Sequence, residues 1–412
     1  MVDSPVWHPF TQHGLNEPIP LVERSEGAAL YTADGRRIVD AISSWWVTTH
    51  GHRYPPIVEA IRAQTEKLDQ IIFAGWTHEP AEQLARGLTE IVPPALKHVF
   101  YSDSGSTAVE VALKMALGYW LNRGEPRHRI LTLEHGYHGD TIGGMSVGAR
   151  GVYNQAYTPL LFDVGTLPFP LGEGRNTLDA LEAACRDKPA ALIVEPLVLG
   201  AGGMLFYAAS VLAEMRAICA AHDVLFIADE VMTGWGRTGT LLACEQAGVV
   251  PDILCLSKGL TGGVIPLAVT MATAPIFEAH LSTDKARMFF HSSSYTANPI
   301  ACAAALANLG VWRKEPVRER IATLAARQEA RIFALEGVRN ARRLGTIAAC
   351  EIGGGEGYLA EVGPALATHF RERDLLVRPM GNTIYVMPPY CIAESDLDRI
   401  YAAIQEAAER FA

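Results

Sequence analysis

The stretch Ile253-Leu254-Cys255-Leu256-Ser257-Lys258-Gly259-Leu260-Thr261-Gly262-Gly263 decides the reading of this chain. Four apolar residues and a polar break read as a buried strand, and a glycine-rich turn follows its single cation. Such a segment sets one amine at the carboxyl edge of a sheet, where α/β proteins hold ligands. A lysine drawn out of bulk water there suits Schiff-base chemistry. A surface lysine at a strand end is the plain alternative, and a chemical role requires a partner.

That partner lies upstream. Val224-Leu225-Phe226-Ile227-Ala228 is a second apolar run, and it delivers Asp229-Glu230 followed by Val231-Met232-Thr233-Gly234. A carboxylate at the end of a buried strand is costly unless a cation or hydrogen-bond donors meet it. A pyridinium nitrogen is such a cation. Pyridoxal 5'-phosphate needs a lysine for its aldehyde and a carboxylate to keep its ring nitrogen protonated, and Lys258 and Asp229 supply the pair.

Two glycine-containing segments extend the pattern. Ser102-Asp103-Ser104-Gly105-Ser106-Thr107 follows the run His98-Val99-Phe100-Tyr101 and precedes Val109, Ala112, Leu113 and Ala116 at helical spacing. Free N–H groups at a helix start favour a phosphate, with Gly105 permitting close approach and Ser106 adding a hydroxyl. Capping by Ser104 or Ser106 reads equally well from these residues alone. Gly136-Tyr137-His138-Gly139-Asp140 follows the run Ile130 to Leu133; its glycines free Tyr137 to present a flat ring to a pyridine, or else Tyr137 is a core tyrosine in a turn. His135 and His138 have no ligand set of usual spacing around them, so no metal is expected.

The 412 residues leave room for two or three domains, and an apolar content of 49% is that of a globular enzyme. From about residue 55, short apolar runs, Ala190 to Val194 among them, alternate with helical periodicity, which predicts an α/β class with a largely parallel sheet. Ala28 to Tyr31 and Arg37 to Asp40 flank Asp34-Gly35 and predict a hairpin. After Asn298-Pro299 an Ala-rich helix runs to Trp312, then come strand-like runs at 346–352 and 383–387 and an amphipathic helix over 397–411. The expected organisation is an N-terminal segment, 1–50, joining a small domain; a large domain, 51–310; and a C-terminal small α+β domain, 311–412. Gly353-Gly354-Gly355 reads as a turn.

A net charge of −10 offers no attraction to nucleic acid or anionic membranes. No apolar run approaches the ~18 residues of a membrane span. The seven cysteines include no Cys-x-x-Cys pair and suit a reducing compartment, so a cytoplasmic protein acting on small molecules is expected.

Together with Glu195-Pro196, Gly200-Ala201-Gly202-Gly203 and Gly234-Trp235-Gly236-Arg237-Thr238-Gly239, the segments around Asp229 and Lys258 resemble the class III aminotransferases, along nearly the whole chain. The resemblance implies pyridoxal-phosphate fold type I (aspartate aminotransferase-like), a large domain with a mostly parallel sheet plus a smaller α+β domain. It also implies a homodimer with active sites at the interface. Lys258 would form the Schiff base and carry protons, Asp229 would hold the pyridinium, Tyr137 would flank the ring, and Gly105 and Ser106 would bind phosphate. Ser294, in His291-Ser292-Ser293-Ser294-Tyr295-Thr296, would reach the partner's phosphate, with serine where the family usually has threonine.

Within that family, Trp7-His8-Pro9-Phe10-Thr11, Ser43-Ser44-Trp45-Trp46, Gly136 to Thr141 and Val377-Arg378-Pro379 are similar to the branch that aminates 8-amino-7-oxononanoate to 7,8-diaminononanoate in biotin biosynthesis, with S-adenosylmethionine as donor. The implied substrate residues are Trp45 and Trp46 as walls, Arg378 for a carboxylate, and Phe10, Tyr137 and Ser293. Read by pattern alone, the tryptophans are core and Arg378 a surface ion pair. Phe10 departs from the tyrosine common in adenosylmethionine-dependent members; some lysine-dependent relatives share the phenylalanine and lack the paired tryptophans. Lysine as donor, an ω-amine specificity of ornithine, 4-aminobutyrate or β-alanine type, a decarboxylase or mutase on the same scaffold, and a cofactor-free dimer kept for interaction are the alternatives. Glu195, Asp140 and Arg237 are expected near the site.

Overall fold

The apolar runs assemble into one seven-stranded sheet in the computed structural model, which describes residues 4–355 and 357–411. Its strands are β1 (Leu96–Ser102), β2 (Ile130–Leu133), β3 (Gly165–Leu167), β4 (Ala191–Val194), β5 (Leu225–Asp229), β6 (Ile253–Leu256) and β7 (Ala268–Thr273). They lie in the order β1-β7-β6-β5-β4-β2-β3. Neighbours from β6 to β3 pair in parallel, whereas β7 runs antiparallel to both β6 and β1. The mostly parallel sheet is the one expected. Its reversed strand has no local signature, because a mostly apolar run such as Ala268 to Ala272 does not encode direction.

Burial on both faces explains why these strands are continuous apolar words. Ile193, Ile227 and Ile253 point into a cluster with Val109, Ala112, Ala116 and Trp120 of the helix Gly105–Asn122. Their chain neighbours Leu192, Phe226 and Leu254 point the other way, toward Leu181 of Arg175–Cys185 and Leu212 of Ala209–Ala221. The sheet is thus a middle layer between helices, with its carboxyl edge free to build a site.

Two smaller sheets flank it. Ala29–Thr32 and Arg37–Asp40 form the expected hairpin around Asp34-Gly35; Val22–Glu26, not foreseen, extends it to an antiparallel meander, and Leu375–Leu376 joins its last strand in parallel. Arg339–Leu344, Ile347–Glu351 and Thr383–Val386 make the other, antiparallel throughout. The Ala-rich helix is Pro299–Lys314 and the C-terminal helix Glu394–Phe411; Gly353 to Gly355 lie in the connection from Ile347–Glu351 to the helix Gly363–Arg371. Among the described residues, no helix is long and apolar enough to cross a membrane.

Candidate active site

Register brings the two decisive residues together. Asp229 pairs with Cys255 across β5 and β6, so the carboxylate and Lys258, three residues past Cys255, leave adjacent central strands at the same edge. Both line a cavity of about 430 Å³. Lys258 opens a short 3-10 turn, Lys258–Thr261, and adopts φ +47, the left-handed region that non-glycine residues enter only when held there. Its Nζ sits 4.7 Å from the centroid of the Trp46 ring. Burial pushes its pKa down to about 8; Asp229 and then Glu195 oppose this, and Arg237 adds to it.

The carboxylates divide the work. Asp229 accepts from His138 Nδ1 at 2.7 Å and from the Val231 N–H at 3.1 Å, which fixes its plane at the cavity wall. Glu230, one residue on, turns away and is satisfied by the Thr233 hydroxyl at 2.9 Å and the N–H groups of Ala243 and Cys244, each at 2.8 Å. Glu195 accepts from the Tyr137 N–H at 2.9 Å and the Gly200 N–H at 3.1 Å, so it ties the Tyr137 loop to the turn after β4. Burial raises its pKa to about 7, with Asp229 pushing the same way and His138 and the two N–H donors opposing.

At the start of the helix Gly105–Asn122, capping and ligand-facing roles fall on different residues. Ser104 makes a capping box with Thr107: its Oγ accepts from the Thr107 N–H at 3.2 Å and its N–H donates to Thr107 Oγ1 at 3.0 Å. Gly105 and Ser106 are left facing the cavity, and Ser106 Oγ accepts from the Asp140 N–H at 3.2 Å. A Cβ at Gly105 would lie 2.6 Å from Val231 Cγ1, and one at Gly139, at φ +108, would collide with Ser106. The set fits pyridoxal phosphate: N–H groups at a helix start for a phosphate, a fixed carboxylate for a ring nitrogen, the Tyr137 ring, and an amine that makes no ion pair among the described residues.

An aromatic wall completes the cavity. Trp46 is buried and packs edge-on against Tyr385, at 5.8 Å between centroids, while Trp45 is 44% exposed and meets Phe10 at 5.6 Å. Phe10 also touches Tyr153, at 6.0 Å, and Tyr153 touches Tyr358, at 4.8 Å. Arg378 stands among them: its Cζ lies 5.0 Å from the Trp45 centroid and 5.4 Å from that of Phe10, and its Nη2 donates to the Tyr358 hydroxyl at 3.1 Å. Among the described residues it has no carboxylate partner, so its fork remains available to an anion. The tryptophans are aimed by a strained turn, with Ser43, Ser44 and Trp46 all at positive φ. Buried Asp40 holds that turn, accepting from the N–H groups of Ile42 at 3.2 Å and Ser44 at 2.7 Å and from His52 Nε2 at 2.8 Å.

Phe10, Trp45, Trp46, Gly105, Ser106, Tyr137, Asp229, Lys258 and Arg378 therefore share one cavity, with Glu195 and Asp140. Ser293 and Ser294 do not line it; Ser294 is exposed, and Ser293 bonds within its own turn to Thr296 and Tyr295. Arg237 lies behind the wall, donating to the carbonyls of Thr48 at 2.9 Å and Trp46 at 3.4 Å. Sequence reading misses His138 as the partner of Asp229, and Tyr153, Tyr358 and Tyr385 as lining residues. Of these, only Tyr385 carried a signal, as a member of the strand-like run at 383–387. No group of three or more His, Cys, Asp or Glu side chains able to hold a metal occurs among the described residues.

Comparison with known proteins follows the same line. The model of the aminotransferase class-III family matches residues 11–408. An adenosylmethionine-8-amino-7-oxononanoate aminotransferase of Synechococcus elongatus is 46% identical, covering 97% of each chain, and one of Anoxybacillus flavithermus is 39% identical, covering 98% of this chain and 94% of the other. Among solved structures, the adenosylmethionine-8-amino-7-oxononanoate aminotransferase of Methanocaldococcus jannaschii superimposes with a TM-score of 0.94 at 33% identity, covering 99% of this chain and 97% of that one. A PLP-bound amine transaminase from an uncultivated Pseudomonas species gives 0.91 at 33% identity, covering 100% and 99%.

Proposed function

The chain belongs to the class III aminotransferase family, and from that premise we propose that it transfers an amino group from S-adenosylmethionine to 8-amino-7-oxononanoate, giving 7,8-diaminononanoate in biotin biosynthesis. The family depends on pyridoxal 5'-phosphate, which when bound supplies an electron sink for the carbon that bears the transferred amine.

The protein's own groups do the rest. Lys258, with a pKa near 8, takes and returns a proton at Nζ close to neutral pH, as a general base and acid requires. Asp229, oriented by His138 and the Val231 N–H, would hold the protonated ring nitrogen of the cofactor. Tyr137, on a loop that Glu195 anchors, would flank the ring, and Gly105 and Ser106 would bind the phosphate. Trp45 and Trp46 exclude water along the aliphatic chain of the acceptor. Ser294 serves the neighbouring site in a homodimer.

The observation that carries the substrate reading is Arg378, a guanidinium stacked against Phe10 and Trp45 with no carboxylate of its own among the described residues, opening on the cavity that holds Lys258. A bidentate arginine on an apolar slot matches a carboxylate on an alkyl chain. The paired tryptophans and the relatives' names support adenosylmethionine over lysine as donor. Single-turnover spectra of the loaded enzyme test this: adenosylmethionine should bleach the visible band at far lower concentration than lysine, and 8-amino-7-oxononanoate should restore it with release of 7,8-diaminononanoate. Bleaching by lysine in preference, or no diamine product, would overturn the assignment.

A further inference from the structure

Asn308 sits fully buried in the helix Pro299–Lys314, beside the turn that follows Lys258. Its Nδ2 donates to two backbone carbonyls, Gly259 O and Leu260 O, each at 2.9 Å. Its Oδ1 lies 2.8 Å from His50 Nε2. With both amide hydrogens committed, Oδ1 can only accept, so His50 carries its proton on Nε2. Burial pushes the His50 pKa down to about 4, and the ring is neutral in this arrangement near pH 7.

The turn is one that needs holding. Lys258 is at φ +47, and the glycines after it are pressed against neighbours: a Cβ on Gly259 would lie 2.6 Å from Trp235 Cβ, and one on Gly263 would lie 2.5 Å from the Val47 backbone. Thr49 N–H donates to Gly262 O at 3.4 Å. The turn is therefore gripped between the chain just after Trp46, which also carries His50, and the helix that carries Asn308.

We propose that Asn308 is a positioning residue for Lys258: its amide locks the turn that aims the amine into the cavity, and His50 fixes the direction in which that amide faces. Neither side chain lines the cavity, so the effect passes through the backbone of Gly259 and Leu260. The inference rests on Lys258 being the amine that binds the cofactor, and is independent of which substrates the enzyme uses.

The test uses cofactor-free Asn308→Ala and Asn308→Ser, mixed with pyridoxal phosphate across a range of pH. The rate of appearance of the visible band of the Lys258 adduct reports the lysine directly; in that reaction the amine adds to the aldehyde carbon and water leaves. A displacement of the amine on the order of an ångström predicts capture about 100-fold slower in the alanine variant. Serine keeps one donor for one carbonyl, and about a 10-fold slowing is expected. The midpoint of the rate–pH profile provides a second readout. Asp229, Glu195 and Arg237 act on the amine, and His138 and Tyr137 line the same cavity. An amine released toward water should shift that midpoint up from about 8 toward the ordinary lysine value. If the alanine variant does not fold, the serine variant decides. Capture at the wild-type rate with an unshifted midpoint, in whichever variant folds, would overturn the proposal, even if that variant melts earlier.

Discussion

Replacing Lys258 by methionine is expected to stabilise the cofactor-free protein, most strongly below pH 8. Burial lowers the lysine pKa from 10.5 to about 8 in the folded chain. Between those two values the unfolded chain binds more protons than the folded one, so this group's contribution to stability rises with pH across the window. Below about 8 the whole cost of the buried ammonium is present. The difference corresponds to about 3 kcal/mol, and since Lys258 lines an open cavity and keeps some contact with solvent, about 2–3 kcal/mol is expected at neutral pH. Methionine has similar length and no charge, and can pack on the Trp46 ring. For 412 residues the unfolding entropy is about 0.9 kcal/mol/K, so the variant should melt about 2–3 °C higher near neutral pH. At about pH 9.5 that advantage should fall to less than half, as the lysine in the native state is then neutral. Calorimetry of both cofactor-free proteins from about pH 6.5 to about pH 9.5 measures the offset. An offset independent of pH, or a wild type more stable than the variant near neutral pH, would show that the ammonium is paired and refute the reasoning.

Further outcomes follow from other contacts at the site. Arg378→Ala should lower kcat/KM for 8-amino-7-oxononanoate by about 100-fold, the effect of removing one partner of a desolvated, hydrogen-bonded charge pair; an equal loss in the donor half-reaction alone would count against a carboxylate-binding role. Tyr358→Phe removes one hydrogen bond that orients the guanidinium, and KM for the same substrate should rise about fivefold with kcat retained. Glu195 is the opposite case to Lys258. Its folded pKa is raised from 4.5 to about 7, so the native state holds a proton that the unfolded chain has lost, and stability from this group falls as pH climbs through that window. Glu195→Gln should flatten that part of the melting profile, and a slope equal to that of the wild type would exclude Glu195 as its source.

The legible part of the molecule was the part governed by repetition or by conflict. Strands buried on both faces are apolar at nearly every position, so the runs ending at Leu133, Val194, Ala228 and Leu256 stand out in any window. Charge at the ends of two such runs is a conflict with burial, and it pointed to Asp229 and Lys258. Local pattern gives no weight to Tyr153 and Tyr358, which lie in irregular segments and meet only through tertiary folding. Nor does it tell what becomes of Glu230, since only the fold provides the three donors that occupy that second carboxylate. The positive φ of Ser43, Ser44 and Trp46 is likewise invisible in the identity of serine and tryptophan; Asp40 enforces it from the preceding strand. Asn308 had a signal that the reading passed over, a polar side chain on an otherwise apolar stretch of helix.

The pairing of Leu375–Leu376 with Val39–Asp40 has a consequence for how the enzyme is born. The segment from Asp40 to Trp46 leaves the ribosome more than 300 residues before the strand that seals it and Arg378 just beyond. All seven strands of the central sheet are synthesised in between, so the lysine and its facing carboxylate can be assembled while the substrate wall is still unfinished. A nascent chain halted before residue 375 should therefore already be able to capture pyridoxal phosphate, while having no means of recognising a carboxylate.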